Sequence, residues 1–361
     1  MSNHTSCDKH TSYGNHRVFV RMGAFLVASI IFASAIYGSM YMGRRVNAKG
    51  LRAAIEADTT ARAMCTMEMS TGRVLYSKNQ DARLPMASTT KIVTAITVLD
   101  NCTDLDTPIE INPRAVGIEG TSIYLQRGEM LTVRELLYGM MLRSGNDAAA
   151  ALALHVRPTI EKFSDLMNDT ARKVGARNSS FKNPHGLDQE GHYTTAYDLA
   201  LISAYAMQNP TFAEIVGTKE IKVSGREYPR LVRNKNRLLH STPDCVGVKT
   251  GFTKKAGRCY VGAFKDNAMT VICVVLNCGP MFEESATLME TANDEFTLRK
   301  ILEQGQLIDC DCGCDTLCGV AVEDFYFPLR ADENVETICA GDKVIIKFNG
   351  EQVYSGHYNR I

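Results

Sequence analysis

The sequence predicts an α/β fold of the α+β kind, followed by a small β-rich module. Three observations carry this. Strand-like stretches bracket the body near residues 61–76 and 246–276, helical patterns fill the interval between them, and the composition shifts after about residue 304. With 361 residues the chain has room for one large domain or a large and a small one. Forty basic and forty acidic residues cancel, so no overall field points to nucleic acid, and no such partner is expected.

The elements follow in order. Residues 22–42, MGAFLVASIIFASAIYGSMYM, carry no charged side chain and match the roughly 20 residues a helix needs to cross a bilayer. Arg17 and Arg21 precede the run and Arg44, Arg45 and Lys49 follow it, so flanking charge sets no orientation. A signal peptide cleaved near Ala33-Ser34-Ala35 is the alternative. The run exceeds a signal-peptide core, which favours a retained anchor. Residues 1–50 therefore read as tail, anchor or signal peptide, and linker.

Residues 61–69 alternate loosely as a strand, Ser70-Thr71-Gly72 reads as a turn, and Val74-Leu75-Tyr76 as the return strand of a hairpin. Leu84-Pro85-Met86-Ala87 leads into Ser88 and an apolar helix over residues 92–99. Residues 133–156 are helical in pattern, broken at Ser144-Gly145-Asn146, and residues 195–207 and 282–303 also read as helices. Strands are expected at 246–249, 258–264 and 269–276. The last is apolar and rich in β-branched residues, as a buried central strand should be. Beyond residue 304, short alternating stretches flank Asn349-Gly350, a hairpin signal. The expected organisation is a catalytic body over 51–303 and a small cysteine-containing β-rich module over 304–361.

Three short motifs occur in order: Ser88-Thr89-Thr90-Lys91, Ser144-Gly145-Asn146 and Lys249-Thr250-Gly251. Singly each also fits a helix cap, a turn or a strand end. Together, in these settings, they point to chemistry. A serine hydroxyl is a weak nucleophile and needs a base. Ser88 and Lys91, three apart at a helix start, lie on one face within reach of each other. A lysine serves as base only when burial or a second cation lowers its pKa, and Lys249 could be that cation. Asn146 offers a donor and an acceptor, and the Ser144 hydroxyl suits a proton relay. Lys249 and Thr250 suit a substrate carboxylate, and Gly251 allows close approach to the backbone.

Leu84-Pro85-Met86-Ala87-Ser88-Thr89-Thr90-Lys91-Ile92-Val93-Thr94-Ala95 resembles the nucleophile segment of low-molecular-mass penicillin-binding proteins, specifically the serine-type D-alanyl-D-alanine carboxypeptidases. So do Ser144-Gly145-Asn146 with Asp147-Ala148-Ala149, the stretch Asn183-Pro184-His185-Gly186-Leu187-Asp188, and Lys249-Thr250-Gly251-Phe252-Thr253 with Ala256-Gly257. The resemblance covers roughly residues 61–300. It implies the serine β-lactamase/DD-peptidase fold: an antiparallel sheet flanked by helices, a helical subdomain carrying Ser144, and Ser88 at the floor of the cleft between them. It implies acylation of Ser88 by the penultimate D-alanine of a peptidoglycan stem pentapeptide, with Lys91 as general base and Ser144 and Asn146 completing the proton network. Lys249 and Thr250 would bind the terminal carboxylate, and the amides of Ser88 and Phe252 would form the oxyanion hole. β-Lactam antibiotics would inhibit, and no cofactor or metal would be needed. The catalytic domain would lie outside the cytoplasmic membrane, or be secreted if residues 22–42 are cleaved. The chain ends without the amphipathic helix that often anchors such proteins, so attachment is expected through the N-terminal helix.

His185 is expected to shape a turn, since the implied mechanism runs through serine and lysine. A β-lactamase of this fold would add a glutamate with an asparagine four residues on; Glu161 is followed at that distance by Asp165, which argues against it. A transpeptidase or endopeptidase forms the same acyl-enzyme and stays open, as does a wall-peptide-binding module without catalysis, against which the intact motifs argue. Cys310, Cys312, Cys314 and Cys318 match no metal-ligand spacing, so no metal is assigned. Disulfides among them or with Cys339 are the other reading.

Overall fold

The computed structural model describes residues 59–225, 227–266, 268–308 and 319–359. The apolar run at 22–42 and the cysteines at 310–318 lie outside the described residues. Among the described residues no helix is long and apolar enough to cross a membrane.

The chain opens with the expected hairpin, β1 (Ala63–Glu68) and β2 (Val74–Lys78). Glu68 closes its turn, accepting hydrogen bonds from the amides of Ser70 and Thr71 at 3.0 and 2.8 Å. A 3-10 turn at Ala87–Thr90 runs into α1 (Lys91–Leu99). A two-stranded ribbon, β3 (Pro108–Glu110) and β4 (Met130–Thr132), leads to α2 (Val133–Leu142). Thr132 and Glu135 start α2 with a reciprocal capping box. The break expected at Ser144 separates α2 from α3 (Asn146–Val156). Next come α4 (Ile160–Lys173), α5 (Ala196–Met207) and α6 (Pro210–Gly217), each with a side-chain cap, from Thr159, Thr195 and Asn209. A hairpin of β5 (Glu220–Val223) and β6 (Arg230–Arg233), then α7 (Arg237–Ser241), complete this helical part.

Three long strands follow: β7 (Cys245–Thr253), β8 (Gly257–Asp266) and β9 (Met269–Leu276). With the first hairpin they form one antiparallel sheet in the order β2-β1-β9-β8-β7. As expected, β9 is central, and its period-2 alternation splits the core. Ile272, Val274 and Leu276 join the cluster shared with α1 to α6, whereas Val271, Cys273 and Val275 join the cluster under α8 (Met281–Glu295). The sheet is therefore flanked by helices on both faces, the fold class the sequence predicts.

One expectation is corrected. The helix read over 282–303 ends at Glu295, because Phe296 turns to extended backbone (φ −114°, ψ 141°). Residues Thr297–Leu302 form β10, which pairs with β13 (Phe325–Leu329). Between them lie β11 (Leu307–Ile308) and β12 (Gly319–Ala321), and after them β14 (Glu336–Ala340), β15 (Lys343–Phe348) and β16 (Glu351–Asn359). These make a second sheet, β11-β12-β16-β15-β14, with Asn349 and Gly350 at φ +52° and +80° in the expected hairpin turn. Cys339 is disulfide-bonded, and the other described cysteines are free.

Arg73, leaving the β1–β2 turn, ties the two sheets together. Its guanidinium pairs with Glu333 at 2.8 Å, donates to the Pro328 carbonyl, and lies 4.2 Å from the centre of the Phe348 ring and 5.2 Å from those of Phe296 and Phe327. Arg330 repeats the arrangement, bonding Glu295 at 2.9 Å and stacking 4.3 Å from Phe296. Both guanidiniums are mostly buried, so removing one takes a carboxylate's nearest cation from a desolvated interface; without Arg73, Glu333 keeps only the longer 3.7 Å pairing with Arg330. We predict that Arg73→Ala lowers the unfolding free energy by roughly 2–4 kcal/mol, read by urea denaturation. A loss below about 0.5 kcal/mol, the level of an exposed pair, would refute the clamp.

Candidate active site

Ser88 sits half-buried in the turn that feeds α1, and Lys91, fully buried, begins the helix. The amine of Lys91 lies 3.0 Å from Ser88 Oγ, 2.7 Å from Asn146 Oδ1 and 2.6 Å from the His185 carbonyl. Among the described residues no carboxylate pairs with it. Burial first, then the nearby charges of Lys249 and Lys235, hold its pKa well below the usual lysine value.

Each partner is fixed in turn. Ser144 adopts a left-handed backbone (φ +70°) between α2 and α3, so that Asn146 starts α3 pointing at Lys91. Asn146 Nδ2 donates to the Glu119 carbonyl at 2.6 Å, which sets the amide orientation and presents Oδ1 to the amine. The adjacent Asp147 carboxylate, also buried, accepts from Ser122 Oγ at 2.5 Å and from the amides of Ile123, Leu125 and Ala148. It thereby pins the loop that holds Asn146.

Two glycines let other segments close on the Ser88 turn. A Cβ on Gly251 of β7 would stand 3.0 Å from the Ser88 nitrogen. A Cβ on Gly186, whose φ is +85°, would stand 1.9 Å from the Ala87 carbonyl oxygen. Ala87 is itself left-handed at φ +50°, an unfavourable state for a residue with a Cβ. It is held there from behind. His192 Nδ1 accepts from the Lys182 amide at 3.0 Å, so its Nε2 carries the proton and donates to Thr90 Oγ1 at 2.9 Å. Thr90 Oγ1 in turn donates to the Ala87 carbonyl at 2.8 Å.

The third motif lies on β7. Lys249 is buried, its amine donates to the Thr250 carbonyl at 3.0 Å, and burial followed by Lys235 lowers its pKa to about 7. Phe252 leaves its ring 65 % exposed beside Gly251. A serine hydroxyl against a buried, charge-suppressed amine, with a second buried amine on the neighbouring strand, suits acyl transfer to serine.

Comparison with known proteins agrees. The family pattern described as D-alanyl-D-alanine carboxypeptidase matches residues 50–279. The chain belongs to the D-alanyl-D-alanine carboxypeptidase family. It is 34 % identical over 242 residues to the carboxypeptidase DacF of Bacillus subtilis, covering 66 % of this chain and 62 % of that one. It superposes on penicillin-binding protein 5 of Haemophilus influenzae with a TM-score of 0.72 at 25 % identity, covering 84 % and 97 % of the two chains. A mutant of a Streptomyces DD-transpeptidase aligns with a TM-score of 0.61 at 34 % identity, over 64 % and 97 %. The chain thus spans about three fifths of the length of DacF.

Ser88, Lys91 and Asn146 are brought together as the motifs predicted, and Gly251 closes on Ser88. Ser144 is buried, and among the described residues its hydroxyl bonds neither Lys91 nor any other group; Asn146 makes that contact. His185 shapes the loop, as expected, but its backbone carbonyl also bonds Lys91, which the sequence reading missed. Its ring Nδ1 accepts from the Leu187 amide at 3.3 Å, and burial, then Lys91, lowers its pKa to about 3. Asp147, His192 and Lys235 were missed as well. Glu161 is exposed in the first turn of α4.

Burial, then Lys182, lowers the His192 pKa from 6.5 to about 4, so the fold requires the neutral ring. A depressed pKa stabilises above the unfolded value and loses that contribution as pH falls. The expected outcome is a stability loss between pH 6.5 and about 4, with at most about 1.4 kcal/mol per pH unit from this group. His192→Gln should flatten that slope in thermal unfolding across pH; an unchanged slope would exclude His192 as its source.

Proposed function

We propose that the protein is a serine D-alanyl-D-alanine carboxypeptidase that removes the terminal D-alanine from peptidoglycan stem pentapeptides. The observation that carries this is the Lys91 amine, buried between Ser88 Oγ, Asn146 Oδ1 and the His185 carbonyl, with no carboxylate partner among the described residues. A neutral amine has two N–H donors and one lone pair. The donors match Asn146 and His185, which leaves the lone pair for the Ser88 hydroxyl proton.

In this reading Lys91 takes that proton as Ser88 Oγ bonds to the carbonyl carbon of the penultimate D-alanine. The backbone amides of Ser88 and Phe252 hold the oxyanion. The C–N bond then breaks, and the proton held by Lys91 passes to the departing amine of D-alanine; for Ser144 to relay it, its hydroxyl would first have to turn toward Lys91, which it does not bond in this structure. Water, activated in the same way, cleaves the ester and restores Ser88. Lys249 and Thr250 hold the free carboxylate, Gly251 admits the peptide backbone, and a β-lactam acylates Ser88 in place of the peptide. Residues 22–42 tether the enzyme, with residues 51–303 as the catalytic domain outside the membrane and residues 304–361 as an accessory module.

Incubating the body from residue 50 with a stem pentapeptide should release free D-alanine, seen by mass, and Ser88→Ala should lower release at least about 10³-fold. Penicillin labelling at Ser88 without release would redirect the reading to a transpeptidase or endopeptidase. Labelling that survives in Ser88→Ala would remove Ser88 as nucleophile.

The two amines also fix a pH profile. Catalysis needs Lys91 neutral and Lys249 charged. Because Lys249 titrates near 7 in the free enzyme, kcat/KM should fall about tenfold per pH unit well above that value, and fall again on the acid side as Lys91 gains its proton. An alkaline limb that persists in Lys249→Arg, whose charge does not titrate in this range, would contradict the assignment.

A further inference from the structure

Outside the cleft the molecule exposes two tyrosines that contribute little to its own packing. Tyr124 is 77 % exposed and Tyr228 79 %. Tyr124 sits at φ +62°, a left-handed conformation unfavourable for a bulky residue. An asparagine or glycine would occupy that backbone with less strain, so local folding does not explain an aromatic there.

The backbone around the ring is nevertheless rigidly held. Asp147 binds Ser122, Ile123 and Leu125, and the Tyr124 amide donates to Ser122 Oγ at 2.7 Å. Arg230 bonds the Tyr124 carbonyl at 3.1 Å and pairs with the buried Glu129 carboxylate at 2.5 Å. The same guanidinium donates to the Ser224 carbonyl at 2.8 Å, in the β5–β6 turn that carries Tyr228. One buried ion pair thus clips together two loops, each displaying a tyrosine to solvent.

The loop is tied to the site through Asn146. Thr121, whose carbonyl accepts from the Asn146 amide at 2.7 Å, is three residues from Tyr124, so the two Cα atoms are at most about 11 Å apart. In a stem pentapeptide the reacting carbonyl belongs to the fourth residue from the sugar, about 13–14 Å away in an extended chain. We propose that Tyr124, with Tyr228 on the loop that Arg230 clips to it, is a rim platform that stacks against the saccharide bearing the stem peptide. The inference rests on the carboxypeptidase reading. An exposed aromatic face on a held backbone suits the apolar face of a pyranose ring, and the exposed Gln126 and Arg127 suit its hydroxyls. Binding energy from that remote part would then assist the reaction at Ser88.

The test compares a disaccharide-linked pentapeptide with the free pentapeptide on the wild-type protein and on Tyr124→Asn, which accepts the backbone angle. The ratio of kcat/KM for the disaccharide substrate to that for the free peptide should fall about fivefold, with the melting temperature not lowered. Equal losses on both substrates, or an unchanged ratio, would overturn the proposal. Calorimetric binding of the two compounds to Ser88→Ala, with and without Tyr124→Asn, asks the same question without turnover. If the wild type released D-alanine from neither substrate, the carboxypeptidase reading would fail, while the binding preference would still decide whether the tyrosines hold the sugar.

Discussion

The burial of one amine without a counter-ion organises the site. Lys91 is enclosed with neutral oxygens as partners, and the positive charges of Lys249 and Lys235 stand nearer in effect than any anion. Asp147 is close enough to favour the charged form, but its oxygens are occupied by a serine hydroxyl and backbone amides. A carboxylate so satisfied supports the loop around Asn146 more than it neutralises a lysine. Had Asp147 turned toward Lys91, the amine would be an ammonium in an ion pair, with no lone pair for Ser88.

That arrangement demands close approach by three segments that are distant in sequence. The Ser88 turn is pressed by β7 on one side and by the 183–188 loop on the other; a Cβ has no space at Gly186 and would crowd the turn at Gly251. Gly251 and Gly186 answer the same steric problem from opposite directions. The left-handed Ala87 between them is a local cost that tertiary contacts offset, through the chain from His192 to Thr90 to the Ala87 carbonyl. The strain falls one residue before the serine, where a small shift in the turn would move Oγ away from the amine.

This explains what could be read in the sequence. Ser88 with Lys91, Ser144 with Asn146, and Lys249 with Gly251 are short-range pairs whose spacing already implies geometry, and the apolar, β-branched run of residues 269–276 implied the central strand. What escaped acts through the main chain or across long separations. The His185 carbonyl has no residue-type signature, so a histidine read as a turn former concealed a polar contact to Lys91. His192 matters through its tautomer, which only its two partners reveal. Asp147 lay beside a recognised motif, yet nothing in the spacing said that its carboxylate would gather amides from residues 123–125. The helix drawn through Thr297–Leu302 failed because six residues of mixed character fit either period, and pairing with β13, about thirty residues on, decided between them.

The same long-range logic governs the C-terminal sheet. Arg73 grips it from the β1–β2 turn, and β2 is the edge of the first sheet opposite β7. Four inter-strand steps of about 4.8 Å separate those edges, roughly 19 Å in all. At that distance the clamp contributes neither a group nor a field to Ser88 that solvent screening would leave intact. Its physical effect is to oppose rotation of one sheet against the other: two guanidiniums, each ion-paired and stacked on Phe296, hold the junction through directional contacts that a sliding apolar interface would lack. The chemistry and the orientation of this molecule are thus carried by opposite edges of one sheet, and a change at either edge should leave the other's function in place.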